Sequence, residues 1–183
     1  MADIIEADEM FELLYEITPE DFKSDVAGGA IWMVPNRDTR WDIIANVLSQ
    51  LTDHFGKVSR IMHDVRLGLP GYGNVFAPDL FKLTSGAEHD AQGHWRYQDV
   101  EFVLEVITRG TADNDYGKKR AAYAAGGVPV HTIVDPYVGQ CRVHTQPKNG
   151  EYRFRRILDF GEPIDLTDTV LGLTITTDEF PRD

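Results

Sequence analysis

Cysteine is almost absent from this 183-residue chain: Cys141 stands alone, so no intrachain disulfide can form, and a reducing compartment such as the cytoplasm is expected. No apolar run reaches the length of a membrane span, which argues against a membrane partner. The start, Met1-Ala2-Asp3-Ile4-Ile5-Glu6, lacks the basic segment that opens a secretory signal. No internal repeat or flexible linker divides the chain, so one domain over 1–183 is expected. Histidines 89 and 94 have neither cysteine nor further histidine nearby, which argues against zinc there. Positive charge is also scarce: 18 basic against 30 acidic residues leave −12, an unpromising balance for a protein that handles nucleic acid.

The distribution of charge changes that picture. Residues 1–25 hold nine acids and one base, and 159–183 hold seven acids and one base, whereas 26–158 hold 14 acids and 16 bases. The acidity lies in an N-terminal helical flank (1–20) and a C-terminal strand region (159–183). Such flanks ordinarily serve solubility; shielding a basic site or binding a partner is the sharper alternative. With 42% hydrophobic residues the chain can build a substantial core.

Periodicity predicts an amphipathic helix over 4–16 and a turn at Thr18-Pro19. A glycine turn at Gly28-Gly29 leads into a strand ending at Pro35. Asp38 to Phe55 is the clearest helix, with Trp41, Ile44, Val47, Leu48, Leu51 and Phe55 on one face and Gly56 as its C-cap. Strands are predicted over 58–66 and 75–83, with a loop at 68–73 between them and a polar surface insertion at 84–96. A strand at 100–108, a helix at 115–126 and a strand at 129–135 form a βαβ-like unit. Further strands follow at 140–145, 151–158 and 170–176.

That unit holds the anomaly that points to chemistry. The run Val100 to Thr108 is apolar except for Glu101 and Glu105. A carboxylate inside a buried strand is costly unless it is paired or holds a metal. Alternation places Glu105 on the face of Val103 and Ile107. Taken alone, Asp79 after Pro78 reads as an ordinary turn aspartate. Lys118, Lys119 and Arg120 read as one solvated, phosphate-attracting surface, and Asp113 and Asp115 as helix caps.

Four blocks in order give these residues a second meaning: Pro78-Asp79; Val103-Leu104-Glu105-Val106-Ile107-Thr108; Asp115 with Lys119-Arg120-Ala121-Ala122-Tyr123; and Gly127-Val128-Pro129 leading to Ile133-Val134-Asp135-Pro136. Here the chain resembles the Uma-two-type restriction endonucleases, a branch of the PD-(D/E)xK nuclease superfamily. The resemblance is dense over 75–137, thinner over 24–74 and slight before residue 20. It implies an α/β fold with a restriction-endonuclease-like core, a mixed central sheet flanked by helices. It implies a magnesium- or manganese-dependent endonuclease acting on nucleic acid, DNA first, with Asp79 and Glu105 as metal ligands and catalytic residues. Restriction-type nucleases often act as homodimers, which extends that expectation here.

Ile107 departs from the superfamily, where a lysine stands two residues after the glutamate. The resemblance moves that lysine to Lys119 on the following helix, with Lys118 about 100° away around the helix. Tyr123, four residues on, shares the face of Lys119 and is expected beneath the site. Asp25-Val26-Ala27-Gly28-Gly29 resembles a family segment in which Asp25 is a further carboxylate; a slip of one residue would put Ser24 there. A divalent cation between carboxylates would neutralise a phosphodiester and activate water, while the lysine orients or deprotonates that water. The carboxylates are expected to crowd and repel one another without metal. Ile107, the alternative register at Asp25 and the net charge suit a catalytically silent binding or regulatory protein instead, and a small phosphoester is a further substrate option.

Overall fold

The computed structural model describes residues 9, 12, 14–56, 60–71, 73–110 and 112–183. The predicted N-terminal helix falls largely outside these; 14–17 are helical. The first hairpin joins β1 (Phe22–Ala27) to β2 (Ala30–Pro35), with Ala27 opposite Ala30. Gly28 and Gly29 form its two-residue turn at φ 57° and 73°, a conformation that favours glycine. Sequence reading found β2 and the turn but missed β1, whose polar Lys23-Ser24-Asp25 hides the pattern.

Helix α1 (Asp38–Phe55) has the predicted bounds, and the Gly56 amide caps it on the Thr52 carbonyl at φ 89°. Ile43, Ile44, Val47 and Leu51 are buried along one face. Trp41 corrects the expectation: it is 50% exposed, edge-on to His63, while Arg40 takes the inward position.

The stretch 75–83 is not one strand. It divides into β5 (Val75–Phe76) and β6 (Leu80–Leu83), which belong to different sheets. Ala77-Pro78-Asp79 is the corner between them, where proline costs no ladder hydrogen bond. Short β3 (Ile61–Met62) and β4 (Leu67–Gly68) precede it; the expected strand 58–66 partly overlaps undescribed residues 57–59. The expected insertion contributes β7 (Trp95–Arg96), parallel to β4.

The main sheet has six strands in the order β11-β10-β9-β8-β6-β3, comprising β8 (Val100–Val106), β9 (Val130–Asp135), β10 (Gln140–Lys148) and β11 (Glu151–Asp159). It is mixed: β8 and β9 run parallel and the other pairs antiparallel. Between β8 and β9 lie a π-helical segment (Asn114–Lys119) and α2 (Arg120–Ala125) where one α-helix was expected. A hairpin of β12 (Ile164–Asp165) and β13 (Thr174–Ile175) replaces the single strand expected at 170–176.

Alternation along β8 sends Phe102, Leu104 and Val106 into a core with α1, Cys141, Val143 and the C-terminal hairpin. Each fully buried side chain of this size contributes about 1.5–3 kcal/mol. The opposite face presents Val103 to Tyr123, Phe76, Phe81 and Leu67. The five-stranded sheet β2-β1-β5-β4-β7 supplies part of that second core. Glu105 lies on this face, between α2 and the second sheet. The mixed sheet with helices on both faces is the α/β architecture expected.

Candidate functional site

Glu105 is 2% exposed although its strand neighbours are apolar. Tyr123 donates to its Oε1 at 2.6 Å, and the Lys119 ammonium lies 3.2 Å from the same oxygen. Asp79 enters from the β5–β6 corner. Its Oδ2 accepts the amide of Val106, the residue after Glu105, at 2.7 Å. Its Oδ1 is shared by Lys23 at 2.5 Å and Arg40 at 2.6 Å. Asp25, on β1, accepts from Lys119 at 2.7 Å and from the Ala77 amide at 2.9 Å. Asp115 completes the group, 3.2 Å from Lys119.

The structure thus brings together every residue singled out for the site except Lys118. That side chain is exposed, 5.7 Å from the Trp32 ring and beside the Gly28 turn, whereas Lys119 is 3% exposed. Adjacent helical positions point about 100° apart, which accounts for the split, and here the turn is π-helical. It sets Asp115 and Lys119 side by side pointing inward, as such bulges often do at functional sites. Asp115 is therefore no cap, and Asp113 makes no capping hydrogen bond either. Asp25, rather than Ser24, reaches Lys119: it lies opposite Trp32 in β1, with Lys23 on the same face two residues earlier, while the Ser24 hydroxyl accepts from Thr18.

Lys23, Arg40 and Asp115 are the residues that sequence reasoning missed as site members. Arg40 left a signal, a guanidinium three and four residues before Ile43 and Ile44 on an apolar helix face. Lys23 left a weaker one, its i,i+2 spacing to Asp25.

Four carboxylates (Asp25, Asp79, Glu105, Asp115) thus face three cations (Lys23, Arg40, Lys119) in one buried network. The expected repulsion is present, since Asp79 raises Glu105 and Asp115, but the three cations offset it. Burial would raise the Asp79 carboxyl, but Arg40 and Lys23 outweigh it and hold the group well below the usual range. For Asp25, burial is likewise outweighed by Lys119 and Lys23, and the carboxyl is lowered. Glu105 behaves oppositely: burial pushes it up to about 7, against Lys119 and Lys23. Burial also raises Asp115. Burial disfavours charge on Lys119, yet Asp115, Asp25 and Glu105 prevail and raise it well above an ordinary lysine. Tyr123 is raised by burial and by Glu105, so it remains a donor.

The enclosure between these groups holds about 10 Å³, at the lower limit for one water. Among the described residues no group of three or more His, Cys, Asp and Glu side chains is placed to hold a metal ion. Two hard carboxylates nevertheless suit magnesium in kind, since it takes one or two carboxylates and completes its shell with water and phosphate.

The family model Uma2, described as "Putative restriction endonuclease", matches residues 8–178. The crystal structure of a putative nuclease belonging to DUF820 from Anabaena variabilis ATCC 29413 superposes with a TM-score of 0.67 at 12% identity, over 86% of this chain and 88% of that one. At that identity the likeness speaks for the fold alone. No curated protein matches the chain.

Proposed function

Because this chain belongs to the Uma2 family of the description "Putative restriction endonuclease", we propose that it is a magnesium- or manganese-dependent endonuclease that hydrolyses phosphodiester bonds in DNA. One observation carries the reading. Asp79, at the β5–β6 corner, is tied to the amide beside Glu105 of β8 at 2.7 Å, so two acids from separate segments meet, with the Lys119 ammonium 3.2 Å from Glu105. Asp79 and Glu105 would hold the cation. When bound, that cation supplies charge neutralisation at the phosphate and an acidified water.

The chain's own groups have distinct tasks. Lys119 keeps its proton, so it stabilises developing negative charge rather than removing a proton. Tyr123 fixes the Glu105 carboxyl by its 2.6 Å hydrogen bond. Lys23 and Arg40 balance Asp79 and must yield part of it when a cation enters. The test is cleavage of single- and double-stranded DNA and of RNA with magnesium or manganese. EDTA and Glu105→Gln should each abolish cutting; undiminished cutting by a folded Glu105→Gln refutes the assignment.

A specific observation favours a second reading, a catalytically silent nuclease-fold protein with a binding or regulatory role. Both Asp79 oxygens are already engaged and the space between the groups, about 10 Å³, has little room for a cation with its waters. Melting with and without cation separates the two. A cation bound only by the folded chain adds about 2.7 kcal/mol at a hundredfold excess over its dissociation constant. No shift at millimolar magnesium or manganese makes the silent protein the better reading.

A further inference from the structure

On the face of the main sheet that bears Glu105, a row of basic side chains has no acidic partner among the described residues. Register runs from Glu105 to Ile133 on β9, to Arg142 on β10 and to Ile157 on β11. One step along, Val103, His131, His144 and Arg155 align in the same way. Cross-strand partners point to one side, so Arg142 and Arg155 share the Glu105 face. Arg120, the first residue of α2, acts with them on His144: all three guanidinium groups disfavour its charged form.

Among the described residues no carboxylate stands within ion-pair distance of Arg120, Arg142 or Arg155, although acids outnumber bases across the chain. The Arg142 guanidinium lies 4.0 Å over the Tyr116 ring, whose hydroxyl donates to Asp135 at 2.7 Å. That stacking holds it in place, and its Nε is buried without a hydrogen-bond partner. Arg120 and Tyr152 line an adjoining cavity of about 250 Å³, with Glu151 also on its wall. Arg155 is exposed on β11, the edge strand, next to Phe154, which is 55% exposed. Charged residues along a free edge disfavour pairing with another strand, so this surface suits an anion better than a second copy.

We propose that Arg120, Arg142 and Arg155 form a phosphate-binding face that takes the backbone of the nucleic-acid substrate away from the bond being cut; this rests on the nuclease reading above. Two strand spacings separate β8 from β10, about 10 Å, which matches the axial rise of roughly three nucleotides of one strand. Arginine suits the task because its planar fork pairs with phosphate in two hydrogen bonds while its other face stacks on an aromatic ring.

The experiment is fluorescence anisotropy of a labelled DNA duplex across a salt series, with calcium or no metal so that nothing is cut. Single Arg155→Gln, double Arg142→Gln/Arg155→Gln and Arg156→Gln variants are compared with the native chain. Arg156 is exposed on the same strand but points to the other face, opposite Val143, so it controls for charge alone. Removing one arginine–phosphate pair should flatten the slope of log affinity against log salt by about 0.9, so the double variant should flatten it by roughly 2 while Arg156→Gln changes it little. Arg155→Gln alone, on an exposed side chain, keeps the test intact if Arg142→Gln fails to fold. Equal effects from Arg155→Gln and Arg156→Gln overturn the proposal, as does an unchanged salt slope in every variant, or no native binding at all. A melting shift with inorganic phosphate that needs these arginines, without any effect on duplex affinity, also overturns it in favour of a free-anion site. Duplex binding that depends on the arginines in a protein that never cuts would leave this face standing and remove the nuclease reading instead.

Discussion

Asp79→Asn should destabilise the protein strongly in the absence of any metal. The side chain is 3% exposed, and its Oδ1 is held by Lys23 and Arg40, themselves 8% and 9% exposed. Removing the negative charge leaves two buried cations whose remaining ion pair among the described residues is with Asp64, at 3.4 Å and 3.1 Å, a carboxylate 40% exposed, with Asp25 and Glu105 acting on Lys23 from farther away. Breaking one partner out of a buried pair costs about 3–5 kcal/mol, because the remaining charge is left uncompensated. In a chain of this length 1 kcal/mol moves the melting temperature by about 2–4 °C, so the expected fall is roughly 6–20 °C. The assay is thermal and urea unfolding in EDTA at neutral pH, with circular dichroism to confirm a native spectrum. Asp79→Asn combined with Lys23→Met should recover part of the loss, since one orphaned cation is removed with its partner. The linkage sign agrees: a carboxyl lowered on folding stabilises above its unfolded pKa near 4, and that contribution is lost as acid protonates it. An Asp79→Asn protein as stable as the native chain in EDTA, or more stable, would mean that the carboxylates dominate by repulsion. The ion-pair network would then be the wrong account of the site.

Lys119→Ala should reduce any cleavage on the order of 100-fold or more, and Lys118→Ala only a few-fold, because only Lys119 reaches the carboxylates; equal modest losses would reduce both to surface charge. Tyr123→Phe should lower kcat with little change in KM, by freeing the Glu105 carboxyl, and a change confined to KM would show that the hydroxyl does not act on the reacting groups. His131 is fully buried with neither ring nitrogen hydrogen-bonded, and burial holds it neutral, well below its ordinary range. A histidine lowered on folding stabilises above its unfolded pKa near 6.5, and stability drains away below it by up to about 1.4 kcal/mol per pH unit. Glu105, raised to about 7, pulls in the opposite direction over much of that window, so the comparison is between native and His131→Phe curves from pH 7 to 5. A variant that loses stability as steeply as the native chain refutes the buried neutral histidine.

Most of the architecture was legible in the chain because it follows from local patterns. The period of Ile44, Val47 and Leu51 with Gly56 behind them specifies α1, since a helix must bury one stripe and stop at a residue tolerant of positive φ. The apolar runs around Glu105 and Ile133 specify the parallel pair at the centre of the sheet, because strands covered on both faces have no polar side to show. Glu105 stood out for the same reason, as a charge where burial forbids one. The ordered motif blocks added Asp79, Lys119 and Tyr123.

Tertiary structure decided what no local pattern encodes. The stretch 75–83 reads as one strand, yet it changes sheets at Pro78, and that corner aims Asp79 at Val106. Lys23 and Arg40 look like surface charges until β1 and α1 converge on Asp79 from residues 56 and 39 positions away. Asp115 stands four residues before Lys119, a spacing the chain does show, but only the packing of the π-helical turn against β1 and β8 makes the pair part of a buried site. Charge neutralisation in a buried site depends on which side chains meet in space, and Coulomb attraction at 2.5–3.2 Å is set by the packing of distant elements rather than by their order along the chain.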